Sequence, residues 1–225
     1  MKCSVVDLGF VSYREALELQ RRSVADRQRS AGSDILYLLE HPPVLTLGRN
    51  ADGSSLLVPR DTLRKRAVEL VETDRGGDIT FHGPGQLVGY PILALEESRR
   101  DIRRYVDDLE EVLIGTLDEC GITARRNDGH RGVWTENGKI ASIGVRIARW
   151  VTSHGFALNV STDLSYFSLI TPCGIPGCRM TSMERETGAP VAMDRVKRIL
   201  ADHFSRVFER TMVELPPAAT GAGER

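Results

Sequence analysis

The sequence predicts an α+β fold, a mixed β-sheet with helices packed on it, in a single domain. Three observations carry this reading. The 225 residues are 41% hydrophobic and 27% charged, which suits one substantial packed core. Strand-like segments cluster in the middle of the chain, with helical segments at intervals. Their order is not the regular strand–helix–strand alternation of a parallel sheet. Residues 1–215 are assigned to this domain, and the polar, glycine- and alanine-rich stretch 216–225 to a frayed tail.

Ser12-Tyr-Arg-Glu15 is a capping box and opens a helix with Ala16, Leu17, Gln20 and Val24 on one side. Asp34 to Leu39 and Val44 to Leu47 are short apolar runs read as strands, parted by the break that His41-Pro-Pro43 forces. Pro59 to Lys65 reads as a short helix leading into a strand near Val68 to Thr73. Ile79 to Phe81 and Leu87 to Leu93 are strands flanking a glycine-rich turn. Ser98-x-x-Asp101 caps a helix that buries Ile102, Tyr105, Val106, Leu109, Val112, Leu113 and Leu117, and Gly121 stops it. Val133 to Glu136, Asn137-Gly138 and Lys139 to Ile147 form a hairpin, because Asn-Gly accepts the positive φ angles of a tight turn. Phe156 to Val160 is a further strand. A last helix, Met193 to Arg210, turns Met193, Val196, Ile199, Leu200, Phe204, Val207 and Phe208 inward.

Thirty basic and 31 acidic side chains leave a net charge of −1, which gives no bias toward nucleic acid or membranes. No segment approaches the roughly 18 uninterrupted apolar residues of a membrane span. Met1 to Asp7 lacks the apolar stretch of a secretory signal. Cysteines at 3, 120, 173 and 178 show no disulfide-framework spacing. A cytoplasmic monomer is expected.

Chemistry concentrates in three places. Arg75-Gly-Gly-Asp-Ile-Thr-Phe-His-Gly-Pro-Gly-Gln86 places four glycines around His82, a loop suited to wrapping a small molecule against its main chain. Cys173 stands between Pro172 and Gly174, in a constrained turn that exposes the sulfur. A thiol with a pKa of ~8.5 is little ionised at neutral pH and needs a cation or base beside it. Lys139 follows the Asn-Gly turn and leads the small, uncharged run Ile-Ala-Ser-Ile-Gly144, which suits a strand lining a pocket. A lysine there favours the thiolate by charge pairing and, once desolvated, can act as a base. Each alone has a plainer reading, an inert loop thiol or a solvent-facing lysine. His82, His154, Cys173 and Cys178 lack the close spacing of a zinc site, so no metal is expected. No Walker-type Gly-Lys-Ser/Thr occurs.

Together with His154-Gly-x-Ala-Leu-Asn159 and Pro172-Cys-Gly174, these segments resemble the lipoyl(octanoyl) transferases, also called octanoyl-[acyl-carrier-protein]:protein N-octanoyltransferases. The similarity runs from about Val5 to Phe208 in the same order. It implies the α+β catalytic domain shared with biotin and lipoate protein ligases. It also implies transfer of octanoyl, without a cofactor, from acyl carrier protein to a lysine of lipoyl domains in 2-oxoacid dehydrogenases and the glycine cleavage H protein. By motif, Cys173 becomes the acyl-thioester nucleophile and Lys139 the residue that lowers its pKa. Substrate binding falls to Arg75, Gly76, Gly77, Asp78, Ile79, Thr80, Phe81 and His82, to Ser142, Ile143 and Gly144, and to Gly155, Phe156 and Ala157. Cys178 lies outside the family pattern.

On this reading, amides beside Cys173 and donors of the glycine loop stabilise the oxyanion, at roughly 3–4 kcal/mol per donor. Ile143 and Phe156 contribute to an apolar slot, and His82 shapes the site or relays a proton. Arg99, Arg100, Arg103, Arg104, Arg125, Arg126 and Arg131 form a patch that steers acidic partners. The competing readings are an ATP-dependent lipoate or biotin ligase, which needs no cysteine nucleophile, and a non-catalytic docking module.

Overall fold

The computed structural model describes residues 1–215. The stretch from Pro216, expected to be frayed, lies outside the described residues. The chain runs β1 (Lys2–Phe10), α1 (Tyr13–Gln28), β2 (Asp34–Glu40), β3 (Val44–Leu47), α2 (Arg60–Lys65), β4 (Glu69–Glu72), β5 (Ile79–His82), β6 (Gln86–Ile92), α3 (Ile102–Glu119), β7 (Arg125–Asn127), β8 (His130–Trp134), β9 (Lys139–Ala148), β10 (Val151–Asn159), α4 (Met183–Thr187), α5 (Met193–Phe208) and β11 (Thr211–Leu215). Eight strands form one sheet in the order β11-β1-β2-β6-β10-β9-β8-β7, and three form a second, β4-β3-β5. The large sheet is mixed. β1 runs parallel to β2 and β11, while β6, β9 and β10 pair antiparallel.

Each face of the large sheet must bury its apolar rows, and helices supply the cover. α3 and α5 lie on one face, where Leu109, Leu113, Leu117, Val196, Leu200 and Phe204 meet Leu36, Leu38, Phe156 and Leu158. α1 covers the other face, with Tyr13, Ala16 and Leu17 against Tyr37, Val88 and Tyr90. The small sheet has its own core around Leu45, Ile79, Phe81 and Phe167.

The capping box forms as expected: the Glu15 amide donates to the Ser12 hydroxyl, and the Ser12 amide donates to the Glu15 carboxylate at 3.2 Å. Four local readings are corrected. Asp101, not Ser98, caps α3, accepting the Arg103 amide at 2.8 Å and the Arg104 amide at 3.2 Å. That makes Ile102 the first helical residue, and its side chain, directed back off the helix end, is 55% exposed rather than buried. The last helix stops at Phe208 because Glu209 turns left-handed (φ 53), and Arg210 swings in to bind Asp34. Asn137-Gly138 is not the positive-φ pair of a tight hairpin: only Gly138 has positive φ. The two-residue turn with both φ positive is Arg149-Trp150, joining β9 to β10.

Candidate active site

The glycine-rich loop is fastened before it reaches β5. The buried Arg75 guanidinium donates to the Thr46 hydroxyl at 3.1 and 2.9 Å, to the Thr46 carbonyl at 2.5 Å and to the Gly76 carbonyl at 3.1 Å. Burial lowers its pKa, yet a guanidinium stays charged in a protein. Gly48 is required opposite, since a Cβ there would lie 2.3 Å from the Gly77 carbonyl oxygen. Asp78 accepts the Ser55 hydroxyl through one oxygen, while its buried second oxygen has no hydrogen bond among the described residues.

His82 donates from Nδ1 to Gln86 at 2.8 Å, and Gln86 donates on to Asn159 at 2.9 Å. Loss of solvent takes the His82 pKa down to about 3, so the ring is neutral at physiological pH. His41 behaves likewise, with a pKa of about 4 for the same reason. Its Nδ1 donates to the Val11 carbonyl at 2.7 Å and its Nε2 accepts from Tyr90 at 2.9 Å. His154, in a left-handed conformation (φ 55) within β10, donates to Asp74 at 2.8 Å. That bond holds the Asp74 carboxyl at about 2.

Register brings Ser142, Ile143 and Gly144 of β9 opposite Ala157, Phe156 and Gly155 of β10. Lys139 opens β9. Its amide donates to the Arg179 carbonyl at 2.8 Å and its carbonyl accepts from Thr181 at 3.0 Å, which fixes the backbone from both sides. The side chain is 1% exposed and its Nζ lies 3.1 Å from Cys173 Sγ. Cys173 itself is left-handed (φ 56, ψ 20), in a turn where Gly174 donates to Thr171 and Ile175 to Pro172, both at 3.0 Å. Those two amides are therefore engaged, which corrects the expectation that the amides following Cys173 hold an oxyanion.

These elements enclose a cavity of about 190 Å³. Cys173, Lys139, Arg75, Gly77, Asp78, Ile79, Thr80, His82, Ser142, Ile143, Gly144, Gly155, Phe156 and Ala157 all line it. Gly76 and Phe81 do not. Strand alternation turns Phe81 away from His82 and into the small core, stacked on Tyr166 at 4.7 Å. Gly76 instead donates its amide to Val145 at 2.9 Å and pins the loop to β9.

Sequence reasoning missed Tyr13, Tyr90, Gly129, His130, Arg131, His154 and Ile175, all of which face the cavity. Only His154 carried a signal, its motif. Cys178 lines a neighbouring groove, and burial pushes its thiol pKa up. Three arginines of the patch are paired with acids: Arg99 with Asp108 and Glu209, Arg126 with Glu110 and Glu111, and Arg131 with Asp107 and Glu110. Arg100 lies over Trp150 at 5.7 Å. Among the described residues, no three His, Cys, Asp or Glu side chains are grouped to hold a metal ion. Among the described residues no helix is long and apolar enough to cross a membrane.

The chain matches the family described as the lipoyl protein ligase A/B catalytic domain over residues 12–205. It is 48% identical over 220 residues to the octanoyltransferase of Solibacter usitatus, covering 98% of each chain. It is 49% identical over 216 residues to that of Syntrophotalea carbinolica, covering 96% of this chain and 99% of the relative. It is 46% identical to the octanoyltransferase of Myxococcus xanthus over 95% of its own length, but spans only 62% of that protein. Among solved structures it is similar to lipoate-protein ligase A bound with ATP (TM-score 0.76, 19% identity, covering 97% of this chain and 90% of the other). It is also similar to a biotin protein ligase from Aquifex aeolicus (TM-score 0.54, 13% identity, covering 93% and 70%). At such identities the structures show a shared fold and nothing finer.

Proposed function

The chain belongs to the lipoyl protein ligase A/B catalytic family, and on that premise we propose that it is an octanoyltransferase of protein lipoylation working through an acyl-thioester on Cys173. The observation that carries the proposal is the Lys139 ammonium 3.1 Å from the Cys173 sulfur, at the wall of the cavity. A buried cation at that distance stabilises the thiolate over the thiol.

The thiolate attacks the octanoyl thioester of the donor, and the carrier thiol departs. One thioester replaces another, so this half-reaction is close to energetically neutral. The amides of Gly77 and Asp78 border the cavity, carry no hydrogen bond among the described residues, and are the donors best placed for the oxyanion. Ile143 and Phe156 supply apolar wall to the acyl chain. In the second half-reaction the acceptor lysine amine attacks the Cys173 thioester. The Lys139 ammonium has given its proton to the departing carrier sulfur in the first half-reaction. The neutral amine so left takes the proton of the attacking acceptor amine, restoring the ammonium beside the Cys173 thiolate as amide formation drives transfer forward. His82 is a neutral, fixed wall residue and not a cationic acid.

Acyl carrier protein is the proposed donor carrier. Lipoyl domains of 2-oxoacid dehydrogenases and the glycine cleavage H protein are the proposed acceptors. A monomer is the proposed working unit, and four free cysteines fit a cytoplasmic location. Intact mass after mixing with octanoyl-acyl carrier protein, without ATP, tests the reading. A single octanoyl adduct, absent from Cys173→Ala and discharged by a lipoyl domain, is the expected outcome. No adduct, with transfer from free octanoate only when ATP is added, would mean ligase chemistry.

A further inference from the structure

Lys139 carries its charge in an almost dry socket. Glu110 of α3, which reaches the neighbouring Gly132, is spent on the Gly132 amide at 2.9 Å and on Arg126 and Arg131. No carboxylate lies within ion-pairing distance of Nζ among the described residues. Burying an ammonium is costly unless something replaces its water. One neighbour does so beside the sulfur: the Trp134 ring, whose centroid lies 5.3 Å from Nζ. That is inside the roughly 6 Å over which an aromatic face attracts a cation.

The socket is built into β8. Register sets Trp134 across from Lys139. Two residues earlier, Gly132 (φ +116) leaves the lysine room, since a Cβ there would lie 2.7 Å from Lys139 Cε and 2.5 Å from the Ala141 carbonyl oxygen. Glu110 of α3 holds the Gly132 amide, so the aromatic wall is anchored to a helix.

We propose that Trp134, seated by Gly132, is a positioning residue that holds Lys139 as an ammonium against Cys173 through its ring face. The proposal rests on the Cys173–Lys139 reading above. The ring leaves loss of the sulfur proton untouched and opposes loss of the nitrogen proton, so it favours thiolate–ammonium over thiol–amine. A carboxylate in its place would hold the ammonium too, but would add a like charge against the thiolate. The neutral ring avoids that conflict. When acylation consumes the thiolate, Lys139 gives its proton to the departing carrier sulfur, and the neutral amine beside the ring then serves as the base.

Other charged or titratable groups also face this corner. Cys178 sits on the turn that carries Cys173, Arg75 and Asp78 come from the glycine-rich loop, and His130 and Arg131 from β8. None of them is altered in the test.

The test follows two pH profiles, octanoyl transfer and alkylation of Cys173 by iodoacetamide, in Trp134→Leu and Trp134→Phe. In the Leu variant the alkaline limb of transfer moves down by about one pH unit, and alkylation near neutrality slows by up to about ten-fold. The Phe variant recovers part of both. Equal loss at every pH with an unmoved limb, or a Phe variant no better than Leu, would overturn the proposal. Should the Leu variant fail to fold, fluorinated tryptophans in Trp150→Phe weaken the ring face without changing its shape. A limb that stays fixed as fluorines are added would be equally fatal. Alkylation in Lys139→Met separates the two readings: an unchanged rate there removes the Cys173–Lys139 pair itself, whatever Trp134 does.

Discussion

Lowering the pH from about 7 to 5 destabilises the folded chain through two buried rings. His41 and His82 are neutral in the fold, their pKa values drawn down by lost solvent from 6.5 to about 4 and about 3. Unfolding exposes both, and each then takes a proton near pH ~6.5. Below that pH the unfolded state binds more protons than the folded state, so stability falls as pH falls. The loss continues until the folded rings protonate between about pH 4 and 3. Each ring contributes up to about 1.4 kcal/mol per pH unit, so the pair removes about 4 kcal/mol between pH 7 and 5. That is a large share of the ~5–15 kcal/mol that holds a typical domain folded. Asp74, held at about 2, does not enter this window, because its stabilisation is lost only below the unfolded carboxylate value of ~3.9. Urea unfolding across the range measures the slope in the native chain and in His41→Gln/His82→Gln. A flat native curve, or the same slope in the double variant, would refute the assignment of the loss to these rings.

Asp34 is fully buried and accepts Arg27 at 2.8 Å, Arg210 at 3.0 Å and the Ala94 amide at 3.1 Å. Asp34→Ala strands Arg210 in the interior and costs about 3–5 kcal/mol, read by chemical denaturation; a change under about 1 kcal/mol would contradict it. Gly155→Ala places a Cβ 2.2 Å from the Gly89 carbonyl oxygen and 2.7 Å from Pro91 Cδ, forcing β10 from β6. A loss of at least about 1–3 kcal/mol and a raised KM for the acyl donor are expected; unaltered melting and kinetics would show that the strands part freely. Cys173→Gly and Cys173→Ala are both inactive, but the glycine variant is more stable by about 1 kcal/mol because the left-handed turn costs it nothing. Equal melting temperatures would show that the turn is unstrained.

What was legible in the sequence was local. The Ser12–Glu15 box and the apolar faces of α3 and α5 depend on residues within a few turns of one another, and they form as read except at Ile102. β7 is three exposed residues, Arg-Arg-Asn, with no alternation to betray it, and exists only because β8 pairs with it. β11 likewise is defined by β1, at the other end of the chain. Glycines that allow close approach marked the site, as at Gly77, Gly144 and Gly155. Side chains delivered by other elements did not: Tyr13 comes from the first turn of α1, where its motif speaks only of helix capping, and Tyr90 from β6. The pairing of part of the arginine patch was hidden for a similar reason. Its charges are visible in sequence, but the acids of α3 that neutralise Arg126 and Arg131 meet them only in the fold.

Fold alone does not choose between activating a free acid and exchanging a thioester, since structures bearing ligase names share this architecture. The choice lies at one turn. A thiol in a left-handed residue, fixed by the Gly174 and Ile175 hydrogen bonds behind it, presents its sulfur to a buried ammonium at 3.1 Å. Neither feature stabilises the fold. A non-glycine residue in that conformation costs about 1–3 kcal/mol, and a desolvated ammonium costs several more. On the proposed function both costs have one use in common, which is to hold a thiolate where an acyl carbonyl can reach it. A ligase site that binds an acyl-adenylate needs a cation for phosphate but no sulfur beside it. The pairing of strained thiol with buried lysine therefore argues for thioester exchange more strongly than either residue does alone.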